Sequence, residues 1–347
     1  MDVPVYDGNI HPYEWIINIQ KYFELRKIDI NDCLEIAIVS VNPTISLPAY
    51  IDSIEDLYNA LKEDISFAIF KNTNKKMLKF LKYVPESKGG NTSTFISRFR
   101  KLCYNAEIID IEEQKEYLYD SLPMNYLNSI SIEFHKKMTN IDSYNKLIKE
   151  FEDFATYLSQ LIVNESIVAL KHVATGKYLG SINRLHYETG SKSQLVFVEN
   201  PKPSPNSLWK IKFSSDRELA STNTSLTLQH VRSGCFLGIS YRKSPSTKHT
   251  EVNCSGRNNN WNFKFSKLEN HQGYLKSNDI INLSIKKLYN DNGDYIPDGQ
   301  AEYLRGHDIQ FTVRDDAFQE VFCHNEILGG NDEWCIELIE QHTSYCI

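Results

Sequence analysis

Through the second half of the chain, apolar and polar residues alternate with period two, and three of the alternating runs begin with tryptophan: Trp209-Lys-Ile211-Lys-Phe213, Trp261-Asn-Phe263-Lys-Phe265 and Trp334-Cys-Ile336-Glu-Leu338. The period puts each Trp on the same strand face as the apolar residues two and four positions later. The three tryptophans are therefore expected in a core rather than at a binding surface. An aromatic-Leu pair precedes each of them, with Leu179, Leu237 and Leu304 lying 30, 24 and 30 residues upstream. The first two units also share a longer string, Leu170-Lys-His172-Val173-Ala-Thr175-Gly176-Lys177-Tyr178-Leu179-Gly180 against Leu228-Gln-His230-Val231-Arg232-Ser233-Gly234-Cys-Phe236-Leu237-Gly238, identical at six of eleven positions. Between the Leu and the Trp, units two and three carry Glu251-Val252-Asn-Cys254 and Glu320-Val321-Phe-Cys323, and unit one has the degenerate Leu195-Val196-Phe-Val198. Each unit reads as four strand segments, repeated three times.

The first half has a different texture, with apolar residues recurring at three and four. Trp15, Ile16, Ile19, Tyr22 and Phe23 form one stripe over Tyr13–Arg26, and Phe95, Ile96, Phe99, Leu102 and Cys103 form another over Ser93–Ala106. Both spacings predict amphipathic helices. Helix starts are expected at Asn31 and Asp32, at Ser53-Ile-Glu-Asp56, which has the form of a capping box, and at Asp110. Breaks are expected at Pro43, Pro48, Pro85, Gly89-Gly90 and Pro123, giving six to eight helices, the last from about Asp142 to Leu161. The expected architecture is multidomain α + β, with an all-α helical domain over 1–163 followed by an all-β domain over 164–347. Three four-strand repeats with pseudo-threefold symmetry predict a β-trefoil, a six-stranded barrel with a three-hairpin cap, whose closure would leave few bare strand edges.

Leu-x-His-x-x-Thr-Gly-x-Tyr-Leu, the later Glu-Val-x-Cys and the Trp-led strand together resemble the MIR domain, a family named for protein mannosyltransferases, inositol trisphosphate receptors and ryanodine receptors. Gly273-Tyr-Leu275-Lys-Ser-Asn-Asp279-Ile-Ile-Asn-Leu283 resembles the segment that opens a repeat in that family, with Asn278 in place of its Gly. Unit three departs from the pattern: Ile285 stands where the other units have His172 and His230, and residues around Asn290 to Gln300 lengthen its first hairpin. The first half resembles the capsid part of Gag polyproteins from gypsy-class retrotransposons, through Tyr6-Asp-Gly8 with Trp15-Ile-x-x-Ile-x-x-Tyr-Phe23, Thr94-Phe-Ile-Ser-Arg98-Phe99-Arg100-Lys-Leu102-Cys103, and Tyr117-Leu-Tyr-Asp-Ser-Leu122-Pro123. That resemblance implies self-association through helical faces.

Charge narrows the partners. Residues 1–163 carry 18 Lys and Arg against 24 Asp and Glu, a net of −6, and residues 164–347 carry 20 against 21, a net of −1, together the −7 of the whole chain. Neither half is a polycation, which argues against general affinity for a phosphate backbone. No apolar run approaches the 18 or more residues of a membrane span, and the opening residues lack the pattern of a signal peptide, so a cytoplasmic location is expected, with the nucleus as the alternative. Seven cysteines without a Cys-x-x-Cys pair fit reduced thiols better than a disulfide framework or a zinc site.

No phosphate-binding Gly-rich loop, nucleophile elbow, zinc-protease motif or dinucleotide fingerprint is present, so no enzyme activity, cofactor or metal is expected. Asp291-Asn-Gly-Asp294 and Asp315-Asp316 read as turns. The candidate ligand-binding residues are His172, Lys177, His230, Arg232, Tyr241, Arg242 and Lys243. The two histidines recur at equivalent positions, as a repeated site requires, yet they share a strand face with a buried Leu, where a hydrogen bond to a backbone carbonyl is the commoner role. The reading is a non-enzymatic scaffold, with a helical domain for self-association and a repeat domain that presents loops to a protein or glycan. The alternative is a nucleic-acid-associated protein of retroelement descent.

Overall fold

A computed structural model describes residues 2–122, 128–214, 218–266 and 273–342. The chain divides into two compact units, Met1–Ala155 and Thr156–Ile347, so the division falls inside the last helix rather than after it. Pro123 lies outside the described residues.

The first unit is helical. Among the described residues it contains α1 (Pro12–Arg26), α2 (Ile30–Val39), α3 (Ile54–Glu63), α4 (Ile65–Phe80), α5 (Thr92–Asn105), α6 (Ile111–Asp120) and α7 (Asn128–Met138), and α8 (Tyr144–Gln160) runs across its edge. The stripe of α1 is buried as its spacing predicts: Trp15, Ile16, Ile19 and Phe23 pack with Tyr6, Ala37, Leu57 and Leu61. The α5 stripe is buried too. Caps refine the expected starts. Asp29, ahead of Asn31 and Asp32, caps α2, its Oδ1 accepting the Asn31 amide at 2.9 Å. Ser53 Oγ accepts the Asp56 amide at 3.0 Å as foreseen. The Asp56 carboxylate, however, accepts from the Ser53 hydroxyl at 2.7 Å, a shorter reach than a capping-box Glu makes back to the cap backbone.

The second unit is built from β1 (Ile167–His172), β2 (Tyr178–His186), β3 (Gln194–Glu199), β4 (Trp209–Phe213), β5 (Ser225–His230), β6 (Phe236–Lys243), β7 (Thr250–Ser255), β8 (Trp261–Phe265), β9 (Asp279–Tyr289), β10 (Tyr295–Val313), β11 (Asp316–His324) and β12 (Trp334–Glu340). Its strand pairing corrects the expected β-trefoil. The three hairpins do not stand apart as a cap over a separate barrel. All twelve strands share one antiparallel sheet that runs β10-β11-β3-β2-β1-β12-β9-β8-β5-β6-β7, with β4 bridging β1 and β5 and with β3 and β11 both returning to β7. The fold is a closed antiparallel β-barrel. The physical reason is backbone satisfaction: hairpin strands buried against their neighbours need ladder partners for their N–H and C=O groups, and the adjoining strands supply them.

The repeat is visible in the register. Trp209 stands opposite His230, Trp261 opposite Ile285 and Trp334 opposite His172, so each unit's Trp faces the His position of the next. All three indoles are fully buried in one core with Leu179, Leu237 and Leu304. Spacings of 30, 24 and 30 residues acquire a cause here. Each indole Nε1 donates to the carbonyl of its upstream Leu: Trp209 to Leu179 at 2.9 Å, Trp261 to Leu237 at 2.9 Å and Trp334 to Leu304 at 3.0 Å. A buried indole N–H without an acceptor costs about 1–3 kcal/mol, and its ring contributes one of the largest apolar areas a residue can bury.

Trp261→Phe is expected to destabilise the second unit by about 2–3 kcal/mol, from the orphaned Leu237 carbonyl and the volume left empty. Chemical denaturation of wild type and variant, followed by circular dichroism, checks this; a loss under 0.5 kcal/mol would show that the bond is not needed.

Candidate functional site

The sequence-predicted residues separate into two groups. His172 and His230 are fully buried. His172 places Nδ1 2.9 Å from Thr175 Oγ1 and Nε2 3.0 Å from the Asn331 carbonyl. His230 repeats the arrangement with Ser233 Oγ at 2.8 Å and the Asn206 carbonyl at 3.1 Å. A carbonyl can only accept, so Nε2 carries the proton and Nδ1 accepts from the hydroxyl, which makes both rings neutral donors within the fold. Burial pushes both imidazoles below their ordinary range. Each ring also packs against a core indole, Trp334 and Trp209. In the third unit Ile285 fills the same place apolarly, so that unit lacks the turn clamp.

The remaining five lie on loops and strand ends. Lys177 donates to Gln319 Oε1 at 2.9 Å, and Arg232 to Asn206 Oδ1 at 3.1 Å. Arg242 lies over the Tyr241 ring at 4.5 Å, and Lys243 pairs with Asp291 at 2.5 Å. Tyr241 alone of the seven lines a cleft, of about 630 Å³, whose walls come from the end of β6, the turn after β7 and the β9–β10 hairpin.

Local chemistry builds that cleft. The lengthened third-unit hairpin is organised by Asn290, whose Oδ1 accepts the amides of Asn292 and Asp294 while its Nδ2 donates to Asp294. Gly293 turns the chain at φ 91°, and a Cβ there would sit 3.4 Å from the Tyr241 ring, so the hairpin tip closes directly on that tyrosine. Asp291 pins the hairpin by pairing with both Lys243 and Lys287. Hydrogen bonds from those two lysines hold its carboxyl below the usual range. Asp291-Asn-Gly-Asp294 is thus a turn, as its composition indicates. Around Tyr241 stand Tyr289, Ser240, Ser255, Asn253 and Asn259, with Arg257 at the rim. Two phenol rings stand there beside amides and hydroxyls, of which Asn253 Nδ2 and Ser240 Oγ already donate to Glu251 and Asn259 Nδ2 to the Arg257 carbonyl, and Lys286 and Lys287 complete the lining.

Sequence reasoning missed two residues that hold this end of the barrel together. Glu251 and Glu320, the charged positions of the Glu-Val-x-Cys strings, are almost wholly buried. Glu251 accepts the Ser191 amide at 3.1 Å and the Asn253 side-chain amide at 3.1 Å. Glu320 accepts the amides of Ser246 at 2.7 Å and Thr247 at 3.1 Å. Each carboxylate therefore grips the hairpin loop of the preceding unit. Burial pushes Glu320 up, but His307, 3.7 Å away and beyond hydrogen-bond reach, together with those loop amides, outweighs it and holds the carboxyl low. Unit one, with Leu195 at this position, substitutes an apolar cluster of Leu195, Tyr187, Phe197, Phe311 and Val313. The recurrence of a glutamate beside the buried Val and Cys of the two Glu-Val-x-Cys strings was the available signal.

A third buried carboxylate, Asp332, accepts from Arg305 Nε at 2.8 Å, His324 Nε2 at 2.8 Å and the Gly329 amide. Burial raises its pKa, yet these donors outweigh it and bring the group to about 2. Among the described residues no group of three or more His, Cys, Asp or Glu is placed to hold a metal ion, and no helix is long and apolar enough to cross a membrane.

No protein-family model matches the chain, and no curated protein matches it. Solved structures do. The chain is similar to the SDF2-like protein from Arabidopsis thaliana at 22% identity, over 51% of this chain and 94% of that one, with a TM-score of 0.42. It is similar to the Saccharomyces cerevisiae protein O-mannosyltransferase Pmt1-Pmt2 complex bound to the sugar donor at 17% identity, over 70% of this chain and 36% of that one, with a TM-score of 0.41. A ricin B-like lectin from Macrolepiota procera in complex with lactose is similar at 13% identity, over 50% of this chain and 96% of that one, with a TM-score of 0.29.

The Asp332 arrangement makes a pH prediction. A carboxyl held lower when folded than its unfolded value near 4 contributes stability above that value, and the contribution drains away as pH falls toward 2. Its size is roughly 2–3 kcal/mol. Asp332→Asn is therefore expected to unfold more readily at neutral pH and to show a shallower loss between about pH 4 and pH 2, measured by urea midpoints across a pH series. Equal slopes in the two proteins would remove the assignment.

Proposed function

We propose that this chain is a non-enzymatic binding protein whose second unit takes up a carbohydrate in the cleft beside Tyr241. The observation that carries the reading is the cleft itself, where Tyr241 and Tyr289 adjoin Asn253, Asn259, Ser240 and Ser255. A sugar ring presents an apolar C–H face and a rim of hydroxyls that both donate and accept, and these side chains complement both. A cleft of about 630 Å³ has room for one or two sugar rings. The resemblance of the repeats to the MIR domain supports the reading, as does the position of the cleft on loops where the three units differ.

The full chain is expected to retain specific saccharides on a glycan array, and Tyr241→Ala to weaken the best of them at least tenfold by calorimetry, with an unchanged circular dichroism spectrum. Retention of no saccharide, or equal binding by the variant, would sink the proposal.

Self-association of the helical unit is the second part of the reading, and one observation favours it. Ile65, Ile69, Met77 and Phe80 of α4 are all exposed, with Ile65 and Phe80 at 70% and 81%. Ile65 and Ile69 lie one turn apart at the start of the helix and Met77 and Phe80 adjoin at its end, and exposed apolar pairs of this kind are found at contact sites. Light scattering over a concentration series is expected to show mass growing with concentration, and Ile69→Glu combined with Phe80→Glu to abolish the growth. A strict monomer at high concentration excludes this part.

A further inference from the structure

The charge lining the cleft beside Tyr241 is of one sign. Arg257, Lys286 and Lys287 contribute to the lining, and no aspartate or glutamate does. The excess is local, because residues 164–347 as a whole carry a net of −1.

The three cations differ in what they already hold. Lys287 is engaged: its Nζ lies 3.0 Å from Asp291 Oδ1, 2.9 Å from Thr250 Oγ1 and 3.7 Å from Glu302 Oε1. Arg257 and Lys286 are exposed, and neither side chain has an ion-pair or hydrogen-bond partner among the described residues. They come from different segments, Arg257 from the turn after β7 and Lys286 from β9, and line the same cleft.

Carboxylates near the cleft do not cancel these two charges. Asp291 divides its oxygens between Lys243 and Lys287. Glu251 is 1% exposed and accepts from Ser240, from Asn253 and from the Ser191 amide. Asp294 accepts from the Asn290 side-chain amide at the hairpin tip. Arg242, over the Tyr241 ring, adds a further cation beside the cleft. An anion entering here meets unpaired positive charge and displaces no existing carboxylate, and a guanidinium offers a carboxylate or sulfate two parallel N–H donors. A neutral sugar leaves both cations as they are.

We infer that the saccharide taken up in this cleft is acidic, its carboxylate or sulfate held by Arg257 and Lys286 and its ring beside Tyr241 and Tyr289. The inference rests on the saccharide reading of the cleft and adds to it the charge of the ligand. Arg257 and Lys286 are then the residues that set specificity, whereas the tyrosines meet the ring and do not read its charge.

The test uses the full chain and matched pairs of saccharides, each pair an acidic sugar, uronate or sulfated hexose, and its neutral parent. On a glycan array and then by calorimetry, the acidic member is expected to bind at least about fivefold more tightly, as two exposed ion pairs provide. That preference is expected to shrink as salt rises from about 0.05 M to about 0.5 M. Uronate pairs and sulfate pairs distinguish the two acid groups, and a preference in either supports the inference. Arg257→Gln combined with Lys286→Gln, at exposed positions, is expected to remove the preference with an unchanged circular dichroism spectrum, while Tyr241→Ala weakens both members of a pair alike. Neutral parents that bind as tightly as their acidic partners overturn this inference and leave the saccharide reading standing. A double variant that keeps the preference overturns the assignment to these two cations, and retention of no saccharide removes inference and reading together.

Discussion

The second unit depends on a bond made three times, from a buried indole N–H to a leucine carbonyl 30, 24 and 30 residues upstream. It joins the last strand of each unit to the start of that unit's hairpin, so the distance between two sequence motifs becomes a fixed length across the core. Because the indole faces the His position of the next unit, the same residue also sets how consecutive units meet. Once the three tryptophans are placed, the barrel interior is largely determined, and the residues free to vary are those at its rim.

Variation at the rim follows from what each unit uses to hold its neighbour's loop. Units two and three use a buried glutamate that accepts loop amides. Unit one uses an apolar cluster around Leu195 in its place. A carboxylate gripping two amides and a patch of aromatics packing a turn are different solutions to one demand, that the hairpin loop be held without leaving its backbone unsatisfied. Threefold equivalence is thereby broken at one end of the barrel. The lengthened β9–β10 hairpin breaks it again, and the Tyr241 cleft lies where that hairpin folds over β6.

Much of this was legible in the chain. The Trp-led alternation marked β4, β8 and β12, the helical stripes marked α1 and α5, and the departure at Ile285 marked the unit whose turn lacks a histidine clamp. The site was less legible. His172 and His230 recur because the fold repeats, and repetition alone does not distinguish a clamp from a ligand contact; the carbonyls of Asn331 and Asn206 that occupy them lie 159 and 24 residues away. Arg232 and Lys177 look available in sequence, yet amide oxygens from distant segments accept from them. Tyr241 was found among the seven because it sits in the basic-aromatic string Ser240-Tyr241-Arg242-Lys243, but Asn253, Asn259 and Tyr289 reach it through the sheet.

Periodicity is a local property, since side-chain direction follows from the backbone of a few residues, and for that reason the sequence by itself determined which segments are helices and strands, which faces are buried and how many times the unit repeats. Pairing is not local. Whether hairpins stand apart as a cap or enter one closed sheet depends on which distant backbone groups satisfy one another, and the sequence-based β-trefoil gave way to a closed antiparallel barrel on that ground. The same holds for the sites. The cleft beside Tyr241 exists because segments far apart in the chain are packed together, and only tertiary structure decided which of its polar atoms were already satisfied.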